Sequence, residues 1–310
     1  MVPGSVDEAN VMIKEKYIKK VMVPPGKKVN LKDFPTGWAQ NEEFKNLGKD
    51  ALKERASELL EANRNTLAKA QELLWASNIY SVLIVLQGMD TSGKDGTIKH
   101  VMSGVNPQGC RVTSFKVPTE EETDHNFLWR YTRALPARGE IGLFNRSYYE
   151  DVLVVKVHPE ILDHQQLPPG KRGDKFWNTR YDDINAFERH LVKNGTLILK
   201  FFLHISKKEQ KERLLERLGD KEKYWKFSLS DLAERRYWDD YLNAYQEMLS
   251  RTSTNEAPWY VIPADFKWVA RTVVADIISS KIQTLDLQFP RVPEESLKQL
   301  EKARKELKNE

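Results

Sequence analysis

Nine consecutive residues carry the clearest chemical signal in the chain: Gly88-Met89-Asp90-Thr91-Ser92-Gly93-Lys94-Asp95-Gly96. They fit the pattern G-x-x-x-x-G-K. Its glycines let the backbone turn tightly and bring its N–H groups against the oxygens of a phosphate chain. The lysine adds a mobile positive charge, and a helix starting at Lys94 would aim its N-terminal dipole at the same anion. Composition alone produces three such fixed positions in roughly one chain in ten of this length. The weight therefore rests on context, a strand before and a helix after. The competing reading is a glycine-rich turn without a ligand.

Two acidic residues complicate the loop. The Ser/Thr that usually follows the lysine, and binds Mg²⁺ through its hydroxyl, is Asp95 here. A second carboxylate, Asp90, sits inside the loop. A loop built for anions should avoid acids unless a cation lies between, so Asp90 is expected to face Mg²⁺, directly or through water. The alternative is an aspartate that caps the turn with its own backbone. Asp95 reads equally as an acid in the first turn of the helix or as a partner of Lys94.

A second constellation is Phe144-Asn145-Arg146-Ser147-Tyr148-Tyr149-Glu150-Asp151, where an apolar run gives way to polar and charged groups. In open α/β sheets ligands sit at the carboxyl ends of strands. Arg146 there could grip a phosphoryl group with its bidentate fork. Glu150 and Asp151 could hold a metal ion or orient a nucleotide. A helix N-terminus, capped by Asn145 or Ser147 and followed by two acids, explains the same residues. A third stretch is basic and aromatic: Lys211, Arg213, Arg217, Lys221, Lys223, Trp225, Lys226, Arg235 and Arg236. It reads either as a solvated helix face or as a mobile lid that closes over phosphates. Trp225, Phe227 and Trp238 would anchor such a lid or pack into the core.

These residues need elements to hold them. Ser81–Leu86 is a short, continuous apolar run, as expected of a strand buried on both faces. Further strands are expected at 111–115, 141–144, 196–203 and 259–262, separated by helical patterns of ten residues or more. That alternation predicts a parallel sheet between helices. Leu52, Leu59, Leu60, Leu67 and Leu74 recur at helical spacing and predict a helix over 49–76. Residues 1–48, broken by Pro24, Pro25 and Pro35, read as an irregular arm lying on the domain, and 291–310 as a charged helix or tail.

Composition excludes several classes. The 310 residues are 40% apolar and 30% charged, enough apolar material for a sizeable core and too much for a disordered chain. With 49 Lys+Arg against 45 Asp+Glu the net charge is only +4, so an anionic partner must be met by focused rather than bulk charge. One cysteine, Cys110, excludes a disulfide framework and a cysteine-based zinc site. The longest apolar stretch, Leu197 to Ile205, is interrupted by Lys200 and His204 and falls far short of the ~20 residues of a membrane span. The first residues lack the apolar core of a signal peptide. The expected setting is a cytoplasmic protein that engages neither membrane nor nucleic acid.

The motifs, taken in order, resemble a known family. Gln87–Gly96, Asn106-Pro-Gln-Gly109, Ser114-Phe-Lys-Val-Pro-Thr119, Phe127-Leu-Trp-Arg130, Phe144–Val152, Trp225-Lys-Phe227 and Ala257-Pro-Trp259 are similar to those of the type-2 polyphosphate kinases, over about residues 50 to 290. The resemblance implies the P-loop kinase fold: a three-layer α/β/α sandwich with a five-stranded parallel sheet and a helical lid at about 207–236, all within a kinase domain at 49–290. It implies Mg²⁺-dependent transfer of a phosphoryl group between inorganic polyphosphate and nucleotides. The Asn145 and Glu150 pattern resembles the class III subgroup, which phosphorylates both AMP and ADP. Adenine nucleotides are the expected partners, with guanine nucleotides as an alternative, and the family precedent implies a homodimer or homotetramer. Where many relatives carry Ala, this chain has Gly88.

The expected site follows. Asp90, Lys94, Asn145, Arg146 and Glu150 form the catalytic set, with Asp90 and Glu150 on the metal. Gly88, Met89, Thr91, Ser92, Gly93, Asp95 and Gly96 form the cradle. Lys116, Arg130, Arg133 and Asp151 are candidates for the nucleotide, and Lys99, Arg213, Arg217, Lys226 and Arg235 for polyphosphate and the lid. A solvated or packing role is the alternative for each of the basic residues outside the loop. An ATP-dependent nucleotide kinase of thymidylate-kinase-like fold and a non-catalytic polyanion-binding protein are the rival functions.

Overall fold

A computed structural model describes residues 15–37 and 48–310. The five strands form one parallel sheet: β1 Ser81–Gln87, β2 Cys110–Ser114, β3 Ile141–Asn145, β4 Thr196–His204 and β5 Trp259–Pro263, in the order β2-β3-β1-β4-β5. Each lies within a residue of its expected bounds. β1 is central and fully buried, as a Val/Ile/Leu run must be when helices cover both faces. Its register pairs Val85 with Phe144 of β3 on one side and with Lys200 of β4 on the other.

The helices form two outer layers. On one face the helix Lys49–Ser77 packs along Lys267–Gln283, which also packs against Lys94–Val101. The first of these ends where Asn78 turns left-handed, φ 49°, and returns its N–H to Leu74 O. On the other face lie Asp174–Lys193 and Trp238–Thr252, both amphipathic, with Tyr181, Ile184, Tyr245, Met248 and Leu249 turned inward. Because all strands run the same way, every β-to-α connection opens on one edge of the sheet. That edge gathers the loop after β1, Phe115 and Lys116 after β2, and the 145–152 segment after β3.

The described part of the N-terminal arm is less irregular than its prolines suggest. It forms a helix Glu15–Val21 and a bridge from Met22 to Tyr260 at the β5 edge, and its Val29 and Leu31 N–H groups donate to Ser250 and Gln246 of the helix Trp238–Thr252; Val21, Val23, Val29 and Leu31 are all buried. The rest of the arm lies outside the described residues. Between β4 and β5, helices Lys207–Gly219 and Leu229–Glu234 flank a 3₁₀ turn at Lys221–Lys226. The last helix, Glu294–Asn309, buries none of its residues. Among the described residues no helix is long and apolar enough to cross a membrane.

Candidate active site

The loop after β1 is shaped by close approach. A side chain at Gly88 would place its Cβ 2.6 Å from Ser92 Oγ and 3.0 Å from Leu203 O, which explains the glycine. Thr91 adopts φ 62°, a costly conformation for a β-branched residue, and Gly93, at φ 102°, starts the helix Lys94–Val101. Lys94 Nζ donates to Gly88 O (2.5 Å) and Met89 O (3.2 Å), so the ammonium lies over the loop's own carbonyls. Burial, reinforced by the Arg146 charge, holds its pKa below the ordinary lysine value despite Asp90, Glu150 and Asp95 nearby.

The segment after β3 faces this loop. Its backbone is locked by Arg146 N–H donating to Leu86 O, and Arg146 adopts φ 65°, after Thr91 the second left-handed non-glycine residue of this site. That turn sends the guanidinium back across the sheet edge, to 3.2 Å from Asp90 and 3.4 Å from Glu150. Glu150 first, and then Asp90, raise the arginine pKa against the opposing effect of burial. Asn145 Nδ2 donates to Asp95 Oδ1 at 2.7 Å, tying the end of β3 to the first turn of the loop's helix. Asp95 is thus Asn145's partner, with no bond to Lys94. Thr91 Oγ1, Ser92 Oγ and Asn145 Oδ1 are buried without a hydrogen-bond partner. Such orphans are rare in folded proteins and here converge where an anion and its counter-ion would supply partners.

A cavity of about 620 Å³ opens above the loop. Of the expected residues, Asp90 to Gly96, Lys116, Asn145, Arg146, Arg213, Arg217 and Lys226 line it; Gly88, Met89 and Glu150 are outside the lining, and Glu150 meets it through Arg146. Its roof is the 207–236 segment. Trp225, largely exposed, and Lys226, 4.9 Å from the Trp225 ring centre, reach over it. Arg217 Nη1 donates to Lys226 O and pairs with Asp231 Oδ2 at 3.4 Å, holding the roof together.

Several expected contacts are corrected by geometry. Asp151 is buried and paired with Arg180 at 3.1 Å, while also accepting from Gln165, so its carboxylate serves the fold rather than a metal or nucleotide. Arg213 is no mobile lid group. Its Nε bonds Glu209, one terminal nitrogen bonds Thr91 O and Ser92 O, and the other bonds Ala264 O and Asp265 O. Its five donors are all used, and the four on the terminal nitrogens join the phosphate loop to the residues just after β5. Arg130 lies against the Phe115 and Tyr131 rings and pairs with Glu122, and Arg133 stacks on Trp129; neither lines the cavity. Arg235 bonds Gln210 instead. Lys99 is exposed and outside the cavity lining.

Sequence reasoning missed four charged residues of the cavity, Glu216, Asp231, Lys267 and Arg271. Lys267 and Arg271 reach the cavity from the helix after β5, and Glu216 lies between Lys267 (3.5 Å) and Lys223 (3.3 Å). A signal existed: two basic residues at i and i+4 open that helix, where its dipole disfavours positive charge. Only an anion nearby makes that placement sensible.

Among the described residues no cluster of three or more His, Cys, Asp or Glu could hold a metal alone. The two carboxylates that pair with Arg146, Asp90 and Glu150, and the unpartnered Asn145 Oδ1 offer oxygen donors only. One or two carboxylates completed by substrate phosphates is how a hard, hydrated divalent cation is usually held. The residues fit such an ion.

A parallel β2-β3-β1-β4-β5 sheet with this loop after its central strand defines the protein as a P-loop kinase in architecture. The sequence matches the family model for Polyphosphate kinase 2 (PPK2) over residues 50–290. The chain belongs to the polyphosphate kinase 2 family. It is 48% identical over 290 residues to an ADP-polyphosphate phosphotransferase of Rhodopseudomonas palustris, covering 93% of this chain and 98% of that one. It is 49% identical over 239 residues to an AMP/ADP-polyphosphate phosphotransferase of Meiothermus ruber, covering 77% and 85% of the two chains. The crystal structure of polyphosphate kinase 2 from Arthrobacter aurescens TC1 superposes with a TM-score of 0.78 at 40% identity, over 87% of this chain and 90% of that one.

Proposed function

We propose that this protein is a polyphosphate-dependent nucleotide phosphotransferase that uses Mg²⁺ to move phosphoryl groups from inorganic polyphosphate to AMP and ADP, reversibly. One observation carries the reading. Arg146, held in a left-handed turn, faces Asp90 and the Lys94 loop across the floor of a cavity lined by Lys116, Lys226, Lys267 and Arg271. Both curated relatives described above bear the name of the same class of activity.

The chemistry follows from charge. The accepting oxygen of a nucleotide phosphate is already anionic, so no general base is needed. The task is to hold two polyanions in line. The loop amides and Lys94 would hold the transferring phosphoryl group. An arriving phosphate would favour the ammonium form that burial disfavours. Arg146 would add a guanidinium to the charge developing on the same group. Asp90 and Glu150 would hold Mg²⁺, which would neutralise the negative charge of the phosphates. Within the 207–236 segment, whose first helix is tied to the loop by Arg213, Lys226 and Trp225 would close the site against water.

A luciferase assay tests the reading, with AMP or ADP as acceptor and polyphosphate as the sole donor, with Mg²⁺ or with EDTA. ATP is expected from both acceptors with the metal and from neither with EDTA. ATP from ADP alone would remove AMP from the acceptors. No ATP from either acceptor, with transfer only when ATP is the donor, would make the protein an ordinary nucleotide kinase.

A further inference from the structure

The active-site chemistry leaves one buried polar network without a role. Lys200, in the middle of β4, is fully buried. Its ammonium donates to Glu188 Oε2 at 2.6 Å, to Thr252 O at 2.7 Å and to Tyr149 OH at 3.0 Å. Glu188 is also buried, and its other oxygen accepts the hydroxyls of both Tyr148 and Tyr149, each at 2.7 Å. Tyr149 also stacks edge-on against Trp259, whose indole N–H donates to Thr252 Oγ1. All three donors of the lysine are used, and both phenols stay protonated, because burial and the Glu188 charge raise their pKa values far above the ordinary one.

We propose that Glu188 is a positioning residue for phosphoryl transfer: by fixing Tyr148 and Tyr149 it holds the short 3₁₀ turn behind Arg146 and so sets where the guanidinium points. The proposal rests on the role given to Arg146 above. The geometry favours it over a purely structural pair. Stability alone is served as well by apolar residues of like volume as by a buried Lys–Glu pair. A satisfied network, in contrast, fixes a unique arrangement. Both tyrosines lie within three residues of Arg146, whose left-handed backbone needs its surroundings to hold it. From the other side, buried Gln87 at the end of β1 donates to Ser147 Oγ in the same turn. The turn is therefore clamped from the helix 174–193 and from β1, and Arg146 projects between the clamps.

Tyr149→Phe and Glu188→Gln, each alone and combined with Arg146→Lys, test this in the full-length protein. Thermal melts would accompany kcat and KM for polyphosphate and ADP. Tyr149→Phe removes one hydroxyl from the network while keeping the ring and the Lys200–Glu188 pair, and is the variant that stands if Glu188→Gln does not fold. The expected result is a kcat about tenfold lower with KM nearly unchanged, since small displacements of a positioned group act on the reacting geometry. In the Arg146→Lys background the further loss should be less than threefold. A melting temperature lowered with kcat unchanged, or losses that multiply in the double variant, would overturn the proposal while leaving the role of Arg146 standing. An Arg146→Lys variant of full activity would overturn that role instead.

Discussion

The Arg146 guanidinium lies 3.2 Å from the Asp90 carboxylate, joining the segment after β3 to the loop after β1 across the mouth of the sheet. Both side chains are partly exposed, so the pair contributes little to stability. Its value is orientation: each group is held where a phosphoryl group and its counter-ion would take over from the other.

Removing either cation of that floor should abolish transfer without unfolding the chain. Lys94→Ala and Arg146→Ala are expected to lower turnover by ~10³-fold or more, the scale of an arginine acting on a transferring phosphoryl group. Far-UV circular dichroism should be unchanged. Normal activity in a folded Lys94→Ala variant would remove the loop from the mechanism.

The cavity's outer cations should act on binding instead. Lys267→Ala and Arg271→Ala are expected to raise KM for polyphosphate several-fold and change kcat little. By analogy with counter-ion release from nucleic acids, each should flatten the log–log dependence of polyphosphate affinity on salt by about one unit. Binding isotherms at several salt concentrations give this slope directly. An unchanged slope places both residues outside the polyanion's path.

Asp151→Asn should behave as a fold variant. It leaves Arg180 buried without its counter-charge, a change that typically costs about 3–5 kcal/mol. Denaturant melts should show that loss, while turnover at low temperature stays near that of the parent. The opposite pattern, full stability with lost turnover, would return Asp151 to the active site.

Acid should destabilise the protein through His204. Burial pushes this imidazole down to about 4, against the opposing Asp265 charge and a hydrogen bond to the Leu31 backbone. The unfolded chain, with a histidine near 6.5, binds the extra proton between those two values. Stability contributed by the neutral ring is therefore present above pH 6.5 and lost as pH falls toward 4, by about 3 kcal/mol in full. Thermal midpoints between pH 7 and 5 should fall less steeply in His204→Gln than in the parent. Parallel curves would assign the acid sensitivity to carboxylates alone.

Much of this was legible before any coordinates. An apolar β1 followed by G-x-x-x-x-G-K and a helix is a local pattern, and local patterns are fixed by neighbours a few residues away. The same holds for the strand bounds and for the polar burst after Phe144. Arg213 shows where such reading stops. Its neighbours in sequence made it a lid cation, yet its contacts come from residues 91, 92, 264 and 265, which only the folded sheet edge assembles.

The sequence by itself determined the parallel α/β class, the phosphate loop, and the set of residues that lead into it. Tertiary structure decided the strand order, the pairing of Arg146 with Asp90, and which charges face the cavity and which hold the fold together. The physical reason is range. Backbone propensity and hydrophobic period act within one element, whereas the partner of a charged side chain is chosen by packing between elements far apart in the chain. Lys267 and Arg271 on the last strand's helix, and Lys200 beneath Tyr149, acquire their meaning only there.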